Sequence, residues 1–93
     1  MSDYNEFPPL KYFTRALKGC PKSALLYLQI WKNKEIPHWN LMINKKDIRK
    51  DYLISPTMFR NLLAPLMLLN LITFIECDGQ FQIDIFGSHV NDE

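Results

Sequence analysis

Residues 44–86 read NKKDIRKDYLISPTMFRNLLAPLMLLNLITFIECDGQFQIDIF, and the fold turns on Ser55-Pro56 within that stretch. A serine at the N-cap accepts a hydrogen bond from a first-turn N–H, and a proline behind it sits where its missing N–H costs nothing. From Pro56 to Leu69 the apolar residues Met58, Phe59, Leu62, Leu63, Leu66, Met67 and Leu69 cover one half of a helix. Thr57, Arg60, Asn61, Ala64, Pro65 and Leu68 cover the other half, which predicts a helix lying on a core. Pro65 removes the bond to the Asn61 carbonyl, at a cost of ~3 kcal/mol, but it does so on the solvent half. Asn70 tolerates the left-handed backbone that ends a helix.

Beyond Asn70, Leu71–Glu76 and Gln80–Ile85 read as two strands joined at Asp78-Gly79, a preferred two-residue hairpin turn. Phe81, Ile83 and Ile85 alternate with Gln80, Gln82 and Asp84, the period of a half-buried strand. That register sets Phe81 opposite Glu76, Ile83 opposite Phe74 and Ile85 opposite Ile72. Before Ser55, Asn44 is a predicted N-cap and Asp47 an anion in the first turn of a helix reaching about Asp51. This helix buries Ile48 and Tyr52 and exposes Lys45, Lys46, Arg49 and Lys50, and Leu53-Ile54 turns into Ser55.

Upstream, Leu10–Lys18 is a short amphipathic helix stopped by Gly19, and Pro21 opens a second that ends near Glu35 before Ile36-Pro37. Ala24, Leu26, Tyr27, Leu28, Ile30 and Trp31 give the second helix a wide apolar arc opposite Lys22, Leu25, Gln29, Lys32 and Asn33. His38–Ile43 is a predicted short strand. Tyr27, Trp31, Trp39 and Phe74 read as core residues. The expected organisation is a flexible arm over residues 1–9, one α+β, mainly α domain over residues 10–86 and a flexible tail over residues 87–93.

The chain has 93 residues and a net charge of +1, which hides a strong asymmetry. Residues 1–10 carry −2, residues 11–60 carry +8 and residues 61–93 carry −5. A basic middle of this kind attracts polyanions. The longest apolar stretch, Leu62–Ile75, is fourteen residues, short of the ~20 that cross a bilayer. No signal peptide is legible in Met1–Pro9, so a cytoplasmic chain without a membrane partner is expected. Cys20, Cys77, His38 and His89 stand singly, without metal-ligand spacing, so no metal or other cofactor is expected. No nucleophile–base, phosphate-loop or paired-carboxylate motif is present, so the reading is non-enzymatic.

The order helix, helix, short strand, helix, tight turn, helix, β-hairpin resembles a winged helix-turn-helix domain, with the hairpin as its wing. Ser55-Pro56-Thr57-x-x-Arg60-x-Leu62 resembles the start of a recognition helix, and Leu66-x-x-Leu69-Asn70-Leu71-Ile72 its passage into the wing. Pro21-Lys22-Ser23-Ala24-Leu25-Leu26-Tyr27-Leu28 is similar to the first core helix of plasmid and phage replication initiators and of some bacterial regulators. The likeness covers about 65 of the 93 residues. It implies duplex DNA as the partner, bound by a transcriptional regulator or by the DNA-binding part of a replication initiator. It further implies base contacts from Thr57, Arg60 and Asn61 and phosphate contacts from Lys45, Lys46, Arg49, Lys50 and Ser55.

Leu10, Phe13 and Leu17 either dock within the monomer or form the interface of a homodimer suited to a palindromic site. The tip Glu76-Cys77-Asp78-Gly79 is acidic and repels a phosphate backbone. Together with Leu68 it supports a second reading, a protein-interaction module on the same scaffold that does not bind DNA.

Overall fold

A computed structural model describes residues 8–35 and 39–85. Its elements are α1 (Leu10–Gly19), α2 (Pro21–Asn33), β1 (Asn40–Asn44), α3 (Lys45–Tyr52), α4 (Pro56–Leu68), β2 (Ile72–Cys77) and β3 (Gln80–Ile85). The protein is α+β and mainly helical, with the three strands in one antiparallel sheet of order β1-β3-β2. The expected flexible arm and tail lie almost wholly outside the described residues, as do His38 and His89. No described helix is long and apolar enough to cross a membrane.

The helix starts and stops follow local chemistry. Ser55 caps α4, its Oγ accepting from Met58 N at 3.1 Å, and the helix runs through Pro65 without ending. At the far end Asn70 takes φ 62°. Its N–H donates to Met67 O at 3.0 Å and that of Leu71 to Leu66 O at 3.1 Å, a paired closure that uses carbonyls the helix would otherwise orphan. Arg15 of α1 adds a third donor, from Nη1 to Leu69 O at 3.3 Å.

The hairpin has the expected register, with Phe81 opposite Glu76, Ile83 opposite Phe74 and Ile85 opposite Ile72, and Gly79 at φ 73° in the turn. The sheet's inner face, Ile43, Ile72, Phe81, Ile83 and Ile85, is buried. Phe59, Leu63 and Leu66 of α4, Ile48 of α3 and Leu26, Tyr27, Ile30 and Trp31 of α2 complete the same core. Small side chains let α2 and α4 approach: Ala24 and Ser23 are both 1% exposed, and Ser23 Oγ donates to Leu62 O at 2.7 Å.

Several expectations change. α1 ends at Gly19, one residue later than expected, with the glycine as its last helical residue; a Cβ there would come within 2.7 Å of the tip of the Leu69 side chain, which would have to shift. Asn44 occupies the N-cap of α3 without a side-chain cap bond, and Lys45 N instead donates to Gly79 O at 2.8 Å. The first strand begins at Asn40, since Trp39 before it sits at φ 58°, outside the extended region; Glu35 N donates to Asn40 O. Helices α2 and α4 end at Asn33 and Leu68, slightly short of their expected ends. Met58 and Met67, expected on the core half of α4, are exposed, since only the narrower stripe of Phe59, Leu63 and Leu66 faces the sheet and α2. Leu28 is half-buried at the edge of its arc.

One buried cation is not legible in the sequence. Lys34 is 7% exposed, its Nζ 4.4 Å from the Trp31 ring centroid and 4.7 Å from that of Trp39, and it donates to Trp31 O at 3.0 Å. The two indole faces and the carbonyl favour the charge, while burial pushes its pKa down to about 8.

Two outcomes follow for stability. Leu53 is 84% exposed at φ 63°, strained for a residue with a Cβ, so Leu53→Gly should stabilise the protein by up to about 1 kcal/mol in urea unfolding. Lys34 titrates lower in the native chain than in the unfolded one, near 10.5, so the native state binds fewer protons between those two values. Unfolding free energy from this group therefore rises with pH above about 8, and Lys34→Met should abolish that rise in urea midpoints taken from about pH 7.5 to about pH 9.5.

Candidate nucleic-acid interface

Helices α3 and α4 meet through the short turn 53–55, whose geometry is set by the left-handed Leu53 and the Ser55 cap. Around α3 the side chains sort into three arcs, because residues three and four apart share a face. Ile48 and Tyr52 face the core, and Lys45, Arg49, Lys46 and Lys50 form a basic arc. Asp47 and Asp51 form an acidic one, lining a cleft of about 380 Å³ with Asn33, Leu41, Met42, Ile43, Asn44 and Tyr52.

Lys46, Arg49 and Lys50 are exposed and form no ion pair with any described residue. Lys45 differs: it is half-buried, and its Nζ lies 5.5 Å from the Phe81 ring centroid and 2.5 Å from Glu76 Oε2. Ser55 is half-buried and spends its hydroxyl oxygen on the cap. On α4, Thr57 and Asn61 are exposed and share an outward ridge with Ala64 and Leu68, the last 82% exposed.

Arg60 is not on that ridge. It projects from the flank towards β2, where Nε donates to Glu76 Oε1 at 2.7 Å and Nη2 to Oε2 at 2.9 Å. The structure therefore joins Arg60 to Lys45 through one carboxylate and separates both from Thr57 and Asn61. Glu76 lies opposite buried Phe81, on the strand face that looks towards α3 and α4. The expected repulsion at the hairpin tip is correspondingly weaker, for two cations balance Glu76 and Asp78 is the one further exposed acid of the tip.

The remaining candidates sit apart. Phe13 packs against the core, which leaves Leu10 and Leu17 as the exposed residues of the α1 stripe, 78% and 46% accessible. Leu25 on α2 is 72% exposed. Cys20 is buried and Cys77 half-buried, both as free thiols, and burial pushes the Cys20 thiol up. Among the described residues no three His, Cys, Asp or Glu side chains converge as a metal site.

Comparison with protein-family models, curated proteins and solved structures finds no match to this chain.

The Arg60 and Lys45 hydrogen bonds hold the Glu76 carboxyl down to about 2, well below its ordinary value. A carboxyl shifted this way stabilises the fold above its ordinary range and loses that contribution as pH falls through its native value. Carboxyl-detected NMR should find Glu76 titrating near 2, and Arg60→Ala should move the midpoint up towards the ordinary range; an unmoved midpoint would assign the shift to Lys45.

Proposed function

We propose that this chain is a winged helix-turn-helix domain that binds duplex DNA without catalysis, as a transcriptional regulator or as the DNA-binding part of a replication initiator. The observation that carries the reading is the basic arc of α3, with Lys46, Arg49 and Lys50 exposed and unpaired among the described residues, beside the outward ridge of α4. The element order from α2 to β3 and the sheet order β1-β3-β2 support it, since the hairpin then flanks α4 as a wing.

In this reading α4 enters the ~12 Å wide major groove, with Thr57 and Asn61 towards base edges and the α3 cations on phosphates. Asn61 has the donor and acceptor pair that matches adenine N6 and N7. Ser55 accepts the cap bond through its oxygen and keeps its O–H to donate to a phosphate at the helix start. Leu10 and Leu17 offer a self-association face for a homodimer on a palindromic site.

A second reading rests on Leu68. An 82% exposed leucine on the same ridge as Thr57 and Asn61 suits a protein partner, on a scaffold that does not touch DNA.

Fluorescence anisotropy with random-sequence duplex and with the gene's own upstream DNA, at two salt concentrations, separates these. Binding that falls steeply with salt and favours the upstream duplex supports the DNA reading; no binding at low salt leaves the protein-partner reading. Lys46→Ala should lower the salt slope by about one on every sequence, whereas Asn61→Ala should cost about 1–3 kcal/mol at one base pair only.

A further inference from the structure

We infer that Arg60 and Lys45 form one receptor for a phosphate group, occupied in the free protein by the Glu76 carboxylate, which the phosphate displaces. Duplex DNA as the source of that phosphate rests on the reading above; the receptor itself does not.

The inference starts from convergence. Two cations on different helices place three donor contacts on the two oxygens of one acid, at 2.7 Å and 2.9 Å from Arg60 and 2.5 Å from Lys45. Two non-bridging phosphate oxygens present the same paired acceptors to a guanidinium fork, with the same sign of charge. A phosphate therefore replaces the carboxylate like for like, and neither cation has to move far. A guanine edge does not, because it is neutral and the exchange would give up charge-assisted bonds for weaker ones. Arg60 is thus a phosphate contact, and base reading falls to Thr57 and Asn61 on the ridge.

Glu76 is able to leave. It lies at the penultimate position of β2 with its side chain 28% exposed, so rotation about its own bonds carries the carboxylate into solvent. Its charge stays nearby and opposes a lone phosphate. A polyanion already held by Lys46, Arg49 and Lys50 overcomes that opposition, so Glu76 sets a threshold that favours extended phosphate backbones over single phosphates.

The test compares the wild-type chain with Glu76→Gln and with Glu76→Gln/Arg60→Ala, each binding random-sequence duplex over a range of salt. Glu76→Gln keeps the outline of the side chain while removing its charge, and an unchanged unfolding temperature checks its fold. It should bind on the order of tenfold tighter because no carboxylate competes for the two cations, and the added Arg60→Ala should lower the salt slope by about one. A wild-type chain that binds duplex while Glu76→Gln binds equally or more weakly overturns the exchange and leaves the DNA reading standing. On single-base-pair variants of the upstream duplex, loss of preference at one base pair in Glu76→Gln/Arg60→Ala overturns it too, returning Arg60 to base reading.

Should no variant bind duplex at low salt, the DNA reading falls and inorganic phosphate decides the receptor alone. A shift of the Arg60 Nε–H resonance of Glu76→Gln on phosphate titration upholds it with free phosphate as ligand, and an unmoved resonance overturns it.

Discussion

Phe59 has no solvent exposure and stands between two other rings, its centroid 5.2 Å from that of Tyr52 and 5.2 Å from that of Phe81. One side chain thereby ties α4 to α3 and to the central strand of the sheet. Edge and tilted ring contacts of this kind add to the free energy of area burial and fix orientation as well as distance. The outward ridge of α4, the basic arc of α3 and the inner edge of the hairpin hold their mutual positions through this seam. Leu63 and Leu66 extend it along α4, and the Ser23 hydroxyl secures the opposite side of that helix to α2.

The parts of the fold readable from the chain were those where one local rule acts without competition. Ser55-Pro56 announces a helix start by chemistry that tertiary packing only has to accept, and Asn70 announces its end. The strict alternation of Phe81, Ile83 and Ile85 leaves one hairpin register that buries them, and the structure adopts it. Where two rules compete, the sequence misleads. Gly19 resembles a residue just past a helix end, yet it is itself the last helical residue. Asn44 resembles a cap, yet the adjoining N–H is bound by the hairpin turn instead. Lys34 looks like one more surface cation, and only the meeting of Trp31 with Trp39 encloses it.

The site divides the same way. The basic arc of α3 is a matter of helical spacing and is legible as such, while its relation to the hairpin is not, because Arg60 and Glu76 are sixteen residues apart. A clue was nonetheless present. The register that sets Phe81 on the inner face sets Glu76 there too, and a carboxylate on a face turned towards helices calls for cations. Arg60 and Lys45 were the basic residues on the two helices nearest that corner, and taking Glu76 as a tip charge concealed the match.

The enclosure of Lys34 also determines what light reports from this molecule. Trp31 and Trp39 are the chain's two tryptophans, 5.1 Å apart by ring centroid and both facing one ammonium at the junction of α2 with β1. Neither belongs to the surface formed by α3 and α4. Intrinsic emission therefore follows the integrity of that junction and the protonation of its lysine, and a ligand arriving on the helices is read by a label placed there.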